Sequence, residues 1–164
     1  MPGPLLPVVV VAALLVVFWI AARVTRRRGT FIDPQSSEWR AAVEKAVATL
    51  PTLRELHASS QQPVLVKYAI ANAAGETEHV WGELQAIDAA SFRATLETPL
   101  RGGAPNDRPP FTLPLLALED WQLQLSDGRI RGGFSTQAEI ALARRTGQPI
   151  PGHVAAMEGR FVDT

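Results

Sequence analysis

Cysteine is missing from the 164-residue sequence. Its absence rules out a disulfide framework, a thiolate nucleophile and a lipid-acylated cysteine at the N-terminus. A cysteine-free chain suits the cytosol without excluding the periplasm. An excess of either charge is also missing, with 16 basic and 16 acidic side chains. The GxGxxG and GxxxxGK[ST] phosphate loops are absent, and the glycine pairs Gly102, Gly103 and Gly132, Gly133 read as turn or bulge positions. His57, His79 and His153 are scattered over a helix end, a strand and a tail, so no metal-ligand spacing emerges. Ser59, Ser60, Ser126 and Ser135 have no nucleophile-elbow context. No repeat or low-complexity block is visible. With no such motif in the sequence, no cofactor and no metal are expected.

What the chain does have is one long apolar run. Residues 5–22 read LLPVVVVAALLVVFWIAA without a charged side chain. At 1.5 Å rise per residue such a helix spans about 27 Å, close to the hydrocarbon thickness of a bilayer. Pro7 falls in its first turn, and Trp19 sits near the polar end, where an indole suits headgroup depth. The four residues before Leu5 carry no basic side chain, whereas Arg23, Arg26, Arg27 and Arg28 follow the run. The positive-inside rule then predicts a single-pass anchor in the inner (plasma) membrane, with the C-terminal part in the cytoplasm. Anionic-lipid contact by the arginines is a natural by-product. The alternative is export after signal cleavage, which calls for a basic stretch before the apolar run and a small-x-small site after it. The first is missing, and Ala21, Ala22, Arg23 is a poor version of the second.

All 16 acidic residues lie beyond Arg28, so removing those four arginines leaves 12 basic against 16 acidic side chains, about −4. A net-acidic domain lacks the basic face that neutralises phosphates, and no nucleic-acid partner is expected.

The pattern divides the chain into an anchor with basic flank at 1–28, a linker at 29–38, one α+β domain at 39–146 and a loose tail at 147–164. Asp33 and Pro34 predict a helix start, and Trp39, Val43, Ala46, Val47 and Leu50 a core-facing stripe. Pro51 predicts a stop or kink, with Leu53 and Leu56 adding a short extra turn. Val64, Val66, Tyr68 and Ile70 alternate as one face of a strand that ends at the turn 72–75. Segments 79–87 and 91–97 predict a hairpin, with Phe92, Ala94 and Leu96 on one face. Residues 101–110, RGGAPNDRPP, hold too many breakers for a ladder. Strands are then expected at 111–116, 120–125 and 129–134, and a helix capped by Ser135 reaching Arg145, with Ala138, Ile140, Ala141 and Leu142 as its apolar positions. Hairpin-length connections cannot make parallel crossovers, which predicts a small antiparallel sheet packed with flanking helices.

An ordered series of residues carries a resemblance. A helix ends in Ala48, Thr49, Leu50, Pro51, then come Val66, Lys67, Tyr68 and Glu78, His79, Val80, Trp81. Asp120, Trp121, the turn Asp127, Gly128, and the segment from Ile130 to Ser135 complete it. As a set these resemble the YegJ-like bacterial family catalogued as domain of unknown function 2314, over residues 39–135. The resemblance implies the same order of elements and carries no activity. The chain departs from that family at Glu97, Thr98, Pro99 with the long loop behind them, and again after Ser135, where the sequence turns helical.

His79, Trp81 and Glu83 alternate and so project from one face of a strand, with Asp120 and Trp121 expected nearby. This polar and aromatic cluster reads either as a binding surface or as an imidazole–carboxylate proton-transfer pair. Nothing else in the chain completes a catalytic set, which favours the plainer reading, a hydrogen-bonded histidine beside two core tryptophans. The expected function is a membrane-anchored binding or scaffolding module with an unidentified protein partner; the alternative is an enzyme using His79 with Glu83 or Asp120.

Overall fold

The computed structural model describes residues 32–97, 99–103 and 109–163. The expected membrane segment 5–22, Arg23, Arg26, Arg27 and Arg28, and the centre of the 101–110 loop lie outside the described residues. Among the described residues no helix is long and apolar enough to cross a membrane.

Helix α1, Ser37–Ala48, begins one turn later than Asp33 and Pro34 suggest. Asp33 instead forms a turn, its carboxylate accepting from the Gln35 N–H, and Ser36 supplies the cap by accepting from the Trp39 N–H. The buried stripe is Trp39, Ala42, Ala46, while Val47 is half exposed, so the core face is rotated from the one read in the sequence. Pro51 does stop α1, but it also opens a full second helix, α2, Leu50–Ser59, in whose first turn its missing N–H costs nothing.

Strands β1 (Val64–Ala71), β2 (Thr77–Ile87) and β3 (Ser91–Leu96) form a meander whose second half is the expected hairpin. Strand β4, Phe111–Pro114, is shorter than predicted; a 3-10 turn at Leu115–Ala117 exposes Leu116 before β5, Leu118–Gln124. Strand β6, Ile130–Gly132, leads into α3, Phe134–Thr146. The tail is ordered rather than loose: α4, Gly152–Ala155, is followed by β7, Phe161–Val162.

The strands make one seven-stranded sheet in the order β4-β3-β2-β1-β5-β6-β7. Every pair is antiparallel except β6 with β7, so the fold is α+β with a mixed sheet. Helices α3 and α4, between β6 and β7, supply the crossover that a parallel pair needs. One sheet face carries the main core, with Val64, Val66, Tyr68, Leu84, Ala94, Leu118, Trp121 and Leu123 all buried. Because β6 pairs only with 122–124, the first half of β5 lies open on that side, and α1 packs along β5 and against α3.

Candidate functional site

The antiparallel registers set Lys67 of β1 opposite Trp81 of β2 on one side and opposite Asp120 of β5 on the other. Side chains directly opposite in a ladder share a face, and alternation adds His79 and Glu83 to it. This face carries polar groups where the other carries the core.

Lys67 is the centre of the arrangement. It is buried, and its ammonium lies 4.5 Å from the centroid of the Trp39 ring and 5.8 Å from that of Trp81. Cation–π attraction is strongest where water is excluded, as here. The same ammonium is 3.4 Å from the Ser135 hydroxyl and 3.7 Å from Glu139 Oε1, both on α3. A buried charge is tolerated only when so surrounded.

His79 holds the upper end. Both carboxylate oxygens of Glu119 lie 2.8 Å from its Nδ1, and the edge of Trp39 meets the ring at 5.5 Å and 81°. Among the described residues Nε2 has no hydrogen-bond partner, and the side chain keeps about a quarter of its surface exposed. Glu119 can reach this face because the β1–β5 register slips: Lys67 opposes Asp120 but Tyr68 opposes Leu118, leaving Glu119 as the extra residue of a bulge.

Asp120 is fully buried and faces inward. Its two oxygens accept from the backbone N–H groups of Trp121, Phe134 and Ser135 at 2.7, 3.1 and 2.7 Å. The predicted Ser135 cap is therefore replaced: Gly133, in left-handed conformation, occupies the cap position with no side chain, and a carboxylate from β5 takes its role. Burial pushes the Asp120 carboxyl up to about 6, against the pull of those hydrogen bonds and of the Ser135 hydroxyl. Burial also raises Glu139, partly offset by Lys67.

The five residues singled out from the sequence therefore separate. His79, Trp81 and Glu83 share a face, with His79 and Trp81 half buried and Glu83 exposed. Asp120 shares that face but is sealed, and it pairs with backbone rather than with His79. Trp121 leaves the group altogether: it opposes Val66 on the core face, is fully buried, and donates its indole N–H to Thr49. The carboxylate partner of His79 is Glu119, not Glu83 or Asp120. Sequence reading missed Lys67, Glu119, Trp39 and Glu139. A lone mid-strand lysine reads as solvent-facing, and a one-residue bulge leaves no mark in the hydrophobic pattern.

A serine near a lysine also invites a nucleophilic reading. Ser135 is fully buried, however, so its hydroxyl is closed to a substrate. Comparison with family models, curated proteins and solved structures finds no match for this chain.

Proposed function

We propose that the chain is a membrane-tethered binding module of the plasma membrane, held in the bilayer through residues 5–22 with its folded domain in the cytoplasm. Its partner-contacting surface is the His79–Trp81 face of β2. The observation that carries this reading is the bracing of that pair from below. Trp81 lies over the Lys67 ammonium and His79 is held by Glu119, while both keep part of their surface open. Rigid, partly exposed aromatic and imidazole groups lose little entropy when they are covered, which favours recognition by a protein partner. Glu83 and Glu97 are exposed beside them, so a partner with basic side chains suits the rim. The likeness to the YegJ-like family adds no activity to this reading.

A photoreactive residue at position 83 of the full chain in native membranes tests the surface. A discrete adduct that disappears in Trp81→Ala supports it. No adduct, or the same adduct from a probe at the remote turn residue Asp127, overturns it.

The His79–Glu119 pair favours one second reading. A carboxylate holding Nδ1 fixes the ring and leaves Nε2 to move a proton, the lower half of a general-base arrangement. Under that reading His79→Ala abolishes an activity while leaving the fold intact; an unfolded variant makes the residue structural.

A further inference from the structure

Helices α1 and α3 run antiparallel. Glu38 in the first turn of α1 pairs with Arg145 in the last turn of α3, while Lys45 near the end of α1 lies over the ring of Phe134 at the start of α3. Between them opens a groove of about 760 Å³. Its walls repeat at helical spacing: Ala41, Ala42 and Ala48 on α1, and Phe134, Ala138, Ala141 and Leu142 on α3. Small side chains let another helix approach closely, and Phe134 and Leu142 give it something to bury. The charged residues of the groove sit at its ends, Glu38 with Arg145 at one and Glu44 with Lys45 at the other.

We infer that this groove is the interface between two copies of the chain, packed about a twofold axis that sets α1 against α1 of the partner in antiparallel sense. This extends beyond the partner-binding reading, since the groove is lined by neither His79 nor Trp81. Charge complementarity selects the occupant. Glu38 and Lys45 are seven residues apart on one helix, about 10 Å. Reversing the helix direction lays each Glu38 over the other copy's Lys45, and each Arg145 near the other copy's Glu44. A twofold contact is isologous, so every such pairing occurs twice. Tethering both copies to one membrane raises their effective concentration and lowers the intrinsic affinity required.

The midpoint between Glu38 and Lys45 falls between Ala41 and Ala42, so the twofold axis passes there and brings Ala41 within one residue of its own copy; Ala41 is also exposed. The native chain is cysteine-free, which makes single-cysteine crosslinking unambiguous. The full chain in detergent and in native membranes is oxidised as Ala41→Cys, with Glu55→Cys on α2 as a remote control. The expected result is a disulfide-linked dimer from position 41 and none from position 55. Adding Lys45→Glu places like charges at both ends and is expected to lower the crosslinked fraction about tenfold. Three results overturn the inference: no position-41 dimer together with a monomer by light scattering, equal crosslinking from position 55, or a dimer indifferent to Lys45→Glu. Loss of the position-83 adduct leaves this inference standing, and loss of the position-41 dimer leaves the His79–Trp81 reading standing.

Discussion

Glu119 and Asp120 are consecutive in the chain, yet both serve the same face of the sheet. Glu119 holds the His79 imidazole while Asp120 holds the first N–H groups of α3. Neighbouring strand residues ordinarily point to opposite faces, and only the slipped β1–β5 register lets these two converge. One carboxylate is thus committed to a partly open site and the other to the frame beneath it.

Asp120→Ala removes the acceptor for three buried N–H groups and strips α3 of its cap. The expected loss is roughly 3 kcal/mol, measured by urea denaturation of the full chain in detergent. Asp120→Asn keeps one acceptor oxygen and sheds the buried charge, so its loss is smaller. Equal stability of the alanine variant and the wild type would contradict the capping role.

The same carboxyl sets a pH dependence. Its ordinary value is 3.8 and burial lifts it to about 6, so the folded protein holds this proton more tightly than the unfolded chain does. The stability it contributes is fully present below pH 4 and is lost as pH rises through about 6, with a slope of at most about 1.4 kcal/mol per pH unit. Burial raises Glu139 in the same direction, whereas the hydrogen bonds that Glu78 and Asp88 accept shift their carboxyls the opposite way, down. The urea midpoint is expected to fall between pH 5 and pH 7.5, and Asp120→Asn to flatten the change. A midpoint that rises over that range has the opposite sign and contradicts the assignment.

The His79–Glu119 pair is partly exposed, so its coupling is modest. A double-mutant cycle with His79→Gln and Glu119→Gln is expected to give about 0.5 to 1 kcal/mol, shrinking in high salt. A coupling indistinguishable from zero would leave the imidazole without its orienting partner.

Gly132 has φ +73°, and a Cβ there would stand 2.2 Å from the Trp121 carbonyl oxygen. Gly132→Ala combines backbone strain with a backbone clash at the turn that launches α3. It is expected to cost roughly 3 kcal/mol or more, seen as loss of the cooperative unfolding transition.

Much of the frame was legible because it depends on local pattern. The alternation of Val64, Val66, Tyr68 and Ile70, the hairpin about 88–90 and the stop at Pro51 all lie within windows of a few residues. The errors share another origin. Trp39, Ala42 and Ala46 form the buried stripe instead of the Val43 and Val47 face because α1 runs beside β5 and touches both Lys67 and Trp121 faces, which periodicity alone cannot reveal. Phe161 and Val162 lack strand length and gain their place only by adding to β6. The site was half legible for the same reason: His79, Trp81 and Glu83 follow from alternation, while Lys67, Trp39, Glu119 and Glu139 meet through pairings distant in sequence.

Tethering at the membrane, with the folded domain in the cytoplasm, is the proposal on which the search for a partner rests. A topology reporter fused after Thr164, read together with the size of the mature chain, tests it most directly. An uncleaved chain with a cytoplasmic C-terminus is the expected result; a shortened chain, or a reporter active outside the cytoplasm, overturns the proposal.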